Sequence, residues 1–452
     1  MSQFHHQEFQ PYCEVPMSRN KPALFLLSLV VMIGFLTAAL PLRAGTETVV
    51  LSFNRNDNLP YNPMGGLVSD SSGNLYGTTV GGGPHSDGAV FELTPGANGT
   101  WTGKTIYKFN GFNGVGPEAR LTFDSAGNLY GTTLDGGTHS QGVVYQLSRA
   151  NGVWTEKVLH SFTGTTDGNY PQGPLTVDAA GNVYGTTAFG GTGKNCNNHG
   201  CGIVFQLTPN TNGTWTETVL HNFQYGRVDG GYPVGGVTLD SAGNLYGTTQ
   251  LGGSHLGGIV FELSLVNGAW TENILHNFCS QPNCVDGEIP SAPLIFDGSG
   301  NLYSTTQTGG VLVGTGCGGL PCGTVFELSP AAGDTWTETV LYSFCSIANC
   351  ADGALPSPSA LVFDTLGNLY GTTNAGGTSG TNCNSYGCGT VFELTPSSGG
   401  IWSDTVLFAF PPNGLHGSGQ LGGVVLDSAG NLYGTSEAGG RFGSGTVFKV
   451  TP

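Results

Sequence analysis

Basic residues are scarce in this chain: 13 Lys and Arg stand against 30 Asp and Glu among 452 residues, a formal net charge of −17 at pH 7. That balance excludes nucleic acid and anionic membrane as main partners, because both are polyanions held by basic patches. Helical periodicity of useful length is missing beyond residue 44, so the fold rests on strands. Also missing are a GxSxG elbow, an HExxH zinc motif and a phosphate-binding loop at a believable position. No long apolar run occurs outside the first 44 residues.

That run is Ala23 to Leu40, preceded by Arg19 and Lys21 and followed by "LRA" at Leu42 to Ala44. It resembles a secretory signal peptide, with Met17 as the more ordinary start. Residues 1–44 are therefore read as a leader and 45–452 as one domain. The run reaches the lower edge of a membrane-spanning length, so an uncleaved anchor is the alternative. Cleavage is favoured because small residues end the segment directly before a strand. No anchor is expected after Pro452. Export to the periplasm, the cell surface or the medium follows.

What the sequence has in abundance is repetition. "DSAGNLYGTT" occurs at Asp124 and again at Asp240, with near copies five more times. Its tyrosines, Tyr76, Tyr130, Tyr184, Tyr246, Tyr303, Tyr370 and Tyr433, are 54, 54, 62, 57, 67 and 63 residues apart. A "GxVFxLTP" segment follows each one. A "WTETVLHNF" segment stands complete at Trp215 to Phe223, and its relatives start at Trp101, Trp154, Trp270, Trp336 and Trp402, which with Trp215 are all six tryptophans of the chain. A short apolar segment ending in Asp precedes each tyrosine motif. Each segment is β-branched or aromatic and is bounded by Gly, Asn, Asp or Pro, so each reads as a strand. They are labelled A (LTVD), B (NLYGTT), C (VFELT) and D (WTETVLHNF).

Four antiparallel strands repeated seven times predict a seven-bladed β-propeller. The glycine after each tyrosine is expected to admit the neighbouring sheet, with Ser304 as the exception in blade 5. "GTETVVLSF" at Gly45 to Phe53 is a D strand without a blade, and the seventh repeat ends after strand C. The N-terminal strand is therefore expected to close the last blade beside Val447 to Val450.

The DSAGN segment is read as the A–B turn, capped by Asp and turned by Gly. A calcium loop is the rival, but the turn offers too few carboxylates for that ion. No cofactor or metal is assigned.

Ten cysteines beyond Cys13 share one spacing: Cys196/Cys201, Cys279/Cys284, Cys317/Cys322, Cys345/Cys350 and Cys383/Cys388. An even set in an exported chain reads as five local disulfides rather than metal ligands. All lie in B–C or D–A connections, which emerge on one face of an antiparallel blade. Long, braced loops on one face mark it as the binding face.

On that face, Asp167, Asp229, Asp286 and Asp352 each precede Gly in a loop that leads to an A strand, and Tyr170 and Tyr232 follow two of them. They are the candidate ligand-binding residues, a carboxylate and aromatic ring at the channel mouth. The alternative is a plain Asp-Gly turn. His85, His139 and His255 recur in B–C loops as solvated side chains or ligands. His160, His221 and His276 recur in strand D and read as structural surface. Glu118 and Arg120, in "GPEARL", are the clearest break in the repeat. No catalytic residue is assigned.

The pattern "DxxGNLYGTTxxGG…GxVFxLTP…WxExVLxxF" resembles the GloVer tandem repeat of exported bacterial proteins from Gly45 to Pro452. That resemblance implies export and carries no activity to any residue. The "DxxGNLY" hairpin is more loosely similar to NHL-type and streptogramin-lyase propellers. The expected function is a monomeric, non-enzymatic scaffold that binds a glycan or protein on its braced face. The alternative is a propeller lyase or hydrolase with a site at the channel mouth.

Overall fold

The computed structural model describes residues 45–55, 60–83, 85–196, 199–311, 322–333, 335–379, 383, 387–420 and 422–452. The leader reading, Cys13 and Cys317 lie outside the described residues. Among the described residues, no helix is long and apolar enough to cross a membrane.

Seven antiparallel sheets, each with the order A–B–C–D, make a seven-bladed β-propeller. Blade 3 is typical: A is Thr176–Val177, B Val183–Thr187, C Ile203–Pro209 and D Trp215–Asn222. The seven hydrophobic cores each join two neighbouring blades, and one joins blade 7 to blade 1 through Tyr433, Val447, Leu75 and Phe91. Strand B is buried along its whole length because both of its faces pack against protein.

Blade 7 takes its fourth strand from the N-terminus. Thr46–Ser52 pairs antiparallel with Thr446–Thr451, from Thr46 opposite Thr451 to Ser52 opposite Thr446. The Gly45 amide donates to the Leu407 carbonyl of blade 6 at 2.8 Å. A Cβ at Gly45 would sit 3.0 Å from that oxygen and from the Thr451 oxygen, which explains glycine where other D strands carry Trp.

The repeated letters now have separate jobs. Asp124 Oδ1 accepts the amides of Ala126 and Asn128, and Oδ2 accepts the Asn128 side chain at 2.7 Å and the Tyr130 hydroxyl at 3.1 Å. Gly127 turns the chain at φ 82°. The Asp-to-Tyr bond recurs in the other six blades. Burial, then the Asp124 charge, pushes the Tyr130 hydroxyl up to about 12. The tyrosine ring meets the next blade edge-on, as Tyr76 does with Phe123 at 5.4 Å and Trp154 at 6.0 Å. In blades 1, 4, 6 and 7 the first threonine reaches the following blade, as Thr78 does to the Ala119 carbonyl at 3.2 Å. The second caps its own strand, as Thr133 does on the Asp135 carbonyl at 2.8 Å.

The glycine after tyrosine differs from expectation. A Cβ on Gly77 would lie 2.5 Å from the Phe91 ring, which belongs to strand C of the same blade. The glycine therefore admits its own blade's aromatic ring, not the neighbouring sheet. That ring in turn receives the D-strand phenylalanine of the preceding blade. Seven such pairs circle the molecule, from Phe53–Phe91 to Phe410–Phe448, with centroids 5.0 to 5.3 Å apart.

B–C and D–A connections share one face, where they pair with each other in every blade, as Asn169 does with Phe189 and Ser418 with Ala438. The braces stand there. Cys196–Cys201, Cys279–Cys284, Cys345–Cys350 and Cys383–Cys388 are disulfides with a sequence separation of 5. Cys322 is also disulfide-bonded, and its sulfur lies within 4.8 Å of those of Cys345 and Cys350. Two braced loops thus adjoin between blades 5 and 6. Non-reducing peptide mapping is expected to show local bridges throughout. After partial reduction and reoxidation, scrambled peptides should join the Cys322 and Cys345/Cys350 loops. Scrambling that captures Cys196 instead would contradict this arrangement.

Candidate functional site

The innermost strands and the loops that lead into them enclose a central cavity of about 750 Å³. Its wall is mostly apolar or small. At the position of Arg120 blades 1, 3, 4 and 5 carry Gly66, Pro174, Gly236 and Pro293, and at that of Glu118 they carry Met64, Gln172, Val234 and Ser291. The break in "GPEARL" therefore delivers one acid and one base to the channel wall. Arg120 Nε donates to the Leu67 carbonyl at 3.0 Å. Among the described residues no carboxylate stands within ion-pair distance of its guanidinium. Burial lowers its pKa, although both side chains keep partial access to channel water. Burial pushes Glu118 up to about 7, with Asp135 and Glu437 adding to the shift. Gln172, Gln250 and Gln307 add amide side chains to the wall, beside several serines and threonines.

The six candidate residues divide into two kinds. None of them lines the cavity. The four aspartates turn into their own loops. Asp167 accepts the Thr163 amide at 2.9 Å, and Asp229 the Gln224 amide at 2.6 Å. Asp286 and Asp352 are fully buried and accept the amides of Ser280 and Ser346, each at 2.8 Å. Burial works to raise Asp286, but His276 and Ser280 outweigh it and hold the carboxyl at about 2. In the Asp352 loop Tyr342 replaces the histidine, and burial prevails, so that carboxyl is raised. Each carboxylate thus caps the loop that carries it.

The tyrosines behave differently. Tyr170 meets Phe189 at 5.8 Å, Phe189 meets Tyr232 at 5.2 Å, and Tyr232 meets Tyr225 at 6.4 Å. All four rings are half-buried and lie on the braced face of blades 3 and 4. Tyr232 is held at φ 62°, and its amide donates to the carbonyl of Cys201, so the blade 3 disulfide loop positions it. Two residues beyond Tyr170 and Tyr232, Gln172 and Val234 line the cavity. The Asp135 charge raises Tyr170 in addition to burial, which puts the run next to Glu118's acidic neighbour. Phe189 and Tyr225 were not evident in the sequence, because neither occupies a repeated position.

His85, His139 and His255 are exposed. Among the described residues, His139 and His255 bond to the neighbouring hydroxyls of Thr138 and Ser254. His160, His221 and His276 are not open surface. Each lies partly buried in the seam between blades, facing the aspartate of its loop at 3.3, 3.6 and 3.7 Å. The glutamate of the next "WTET" segment completes the seam, and burial pushes Glu217, Glu272 and Glu338 up to about 7.

The family described as Gloeobacter/Verrucomicrobia repeat matches residues 39–215 and 194–383. No curated protein matches the chain. Among solved structures, an ancestral GH74 enzyme aligns with TM-score 0.50 and 12% identity over 87% of this chain and 51% of that one. An ulvan lyase bound to -[GlcA(1-4)Rha3S]- aligns with TM-score 0.48 and 11% identity over 89% and 95%. A luciferin-regenerating enzyme aligns with TM-score 0.42 and 12% identity over 90% and 96%. At such identity the likeness is one of fold.

Proposed function

This chain belongs to the Gloeobacter/Verrucomicrobia repeat family, and from that footing we propose that it is an exported, non-enzymatic propeller that binds a glycan on its braced face. Its disulfides belong to an oxidising compartment outside the cytosol. The observation that carries the reading is the run Tyr170–Phe189–Tyr232–Tyr225 beside the cavity mouth. Half-buried aromatic rings offer flat apolar faces with a polar edge, which suits the C–H faces and hydroxyls of a sugar. Bracing Tyr232 from Cys201 lowers the entropy lost on binding. The amide side chains of the cavity wall supply donors and acceptors for hydroxyls, and the acidic surface disfavours polyanion-binding proteins' usual ligands.

The test is a glycan array with residues 45–452, followed by calorimetry. Tyr170→Ala and Tyr232→Ala are each expected to weaken the best ligand by roughly tenfold, about 1.4 kcal/mol. Full affinity in both variants, or capture of a protein partner with no glycan bound, would reject the reading. A second reading rests on Glu118. A carboxyl near neutrality in a cavity beside Arg120 suits general acid–base work, as in a lyase or hydrolase. It predicts cleavage of the bound polysaccharide that Glu118→Gln abolishes while binding persists.

A further inference from the structure

We propose that His221, Asp229 and Glu272 form a site for a divalent first-row cation such as zinc, in the seam between blades 3 and 4. His221 is on strand D of blade 3, Asp229 is in the loop that follows, and Glu272 is on strand D of blade 4, Ala269–Asn277. One ligand atom from each lies within 4.8 Å of the others. His221 Nε2 stands 3.6 Å from Asp229 Oδ1 and 3.8 Å from Glu272 Oε2. These separations are too long for hydrogen bonds. They are close to the spacing of about 3.4 Å between neighbouring ligands of a tetrahedral ion with bonds of about 2.1 Å.

Asp229 Oδ1 accepts the Gly230 amide at 2.6 Å, but two other atoms of the cluster are left without partners. His221 Nε2 and Glu272 Oε1 are buried and accept or donate no hydrogen bond. A cation between the imidazole nitrogen and the two carboxylates would give these atoms the partners that buried polar groups otherwise have. The groups themselves are held in place. Asp229 Oδ2 accepts the Gln224 amide at 2.6 Å, and the His221 ring packs edge-on to Phe223 at 4.6 Å. One imidazole and two carboxylates suit zinc or a similar borderline ion better than calcium, which takes six or more oxygens. The seams at His160 and His276 have the same residue types and the same unpartnered atoms, so it is the closure of all three ligand atoms to within 4.8 Å that sets the His221 seam apart. Among the described residues this is the one histidine–carboxylate set so arranged.

The site fastens two blades together beneath the loop that carries Tyr225 and Tyr232. The ion would act as a brace there, as the disulfides do in the adjoining loops.

The experiment uses residues 45–452, stripped with chelator and titrated with zinc chloride by calorimetry, with cobalt absorption as a second readout. One equivalent is expected to bind, to raise the melting temperature and to give the visible bands of tetrahedral cobalt. Glu272→Gln and His221→Ala are each expected to weaken binding by more than about tenfold. Glu272→Gln keeps the side chain's shape, so it serves if His221→Ala fails to fold. No saturable zinc binding by the parent protein, or equal affinity in Glu272→Gln, would overturn the site.

Discussion

Deleting Gly45–Phe53 is expected to abolish cooperative folding of the monomer. The segment supplies the fourth strand of blade 7 through pairing along Thr446–Thr451. It also carries Phe53, whose ring meets Phe91 of blade 1 at 5.2 Å. Glu47, bonded to His416 at 2.6 Å, ties the same strand to the loop after blade 6. Removing a buried phenylalanine alone costs about 3–5 kcal/mol. Losing the strand with it consumes most of the roughly 5–15 kcal/mol by which a folded domain is stable. The exposed edge of strand C then becomes a template for another chain. Thermal melting with light scattering checks this: the truncated protein should show no sharp transition as a monomer and should associate. Adding a peptide of residues 45–53 should restore part of the transition. An unchanged melting temperature in a monomeric truncation would refute the role given to the strand.

The architecture was legible because one short code is written seven times and each letter has a local cause. Asp, Gly and Asn make a turn from their own chemistry, and the tyrosine spacing counts the blades. The direction of the loop carboxylates was not legible. Asp167, Asp229 and Asp286 turn into their own loops, where backbone amides hold them, and a histidine on the preceding strand D faces each one from the seam. A signal was present in the sequence: histidine stands two residues before the phenylalanine in the blades whose next loop carries these three aspartates. The glutamate of "WTET" was equally informative, since an acid retained in a strand that alternates exposed and buried positions calls for a partner. Glu118 and Arg120 were visible only as a departure from the repeat, and the structure brings both to the cavity wall. The aromatic run is assembled from a B–C loop and two D–A loops, so no single stretch of sequence displays it.

The ring of aromatic pairs gives the second large effect. Phe223→Ala is expected to destabilise the protein by about 3–5 kcal/mol, because a fully buried ring is lost and its cavity has rigid walls. Phe223 contacts Phe261 at 5.2 Å across the blade 3–4 boundary, and Gly247 already stands against that second ring, so the strands cannot collapse inward. Phe223→Leu should cost less, since part of the volume remains. Blade 2 supplies a control of opposite sign. There Tyr145 takes the phenylalanine position against Phe109 at 5.0 Å, and its hydroxyl is buried without a hydrogen-bond partner. Tyr145→Phe removes an unsatisfied polar group while keeping the ring pair, and should stabilise by about 1 kcal/mol. Urea unfolding of the three variants checks both signs. A small loss in Phe223→Ala would show that the blades hold together through their strand-B contacts instead, and destabilisation by Tyr145→Phe would mean that the hydroxyl is bonded in solution.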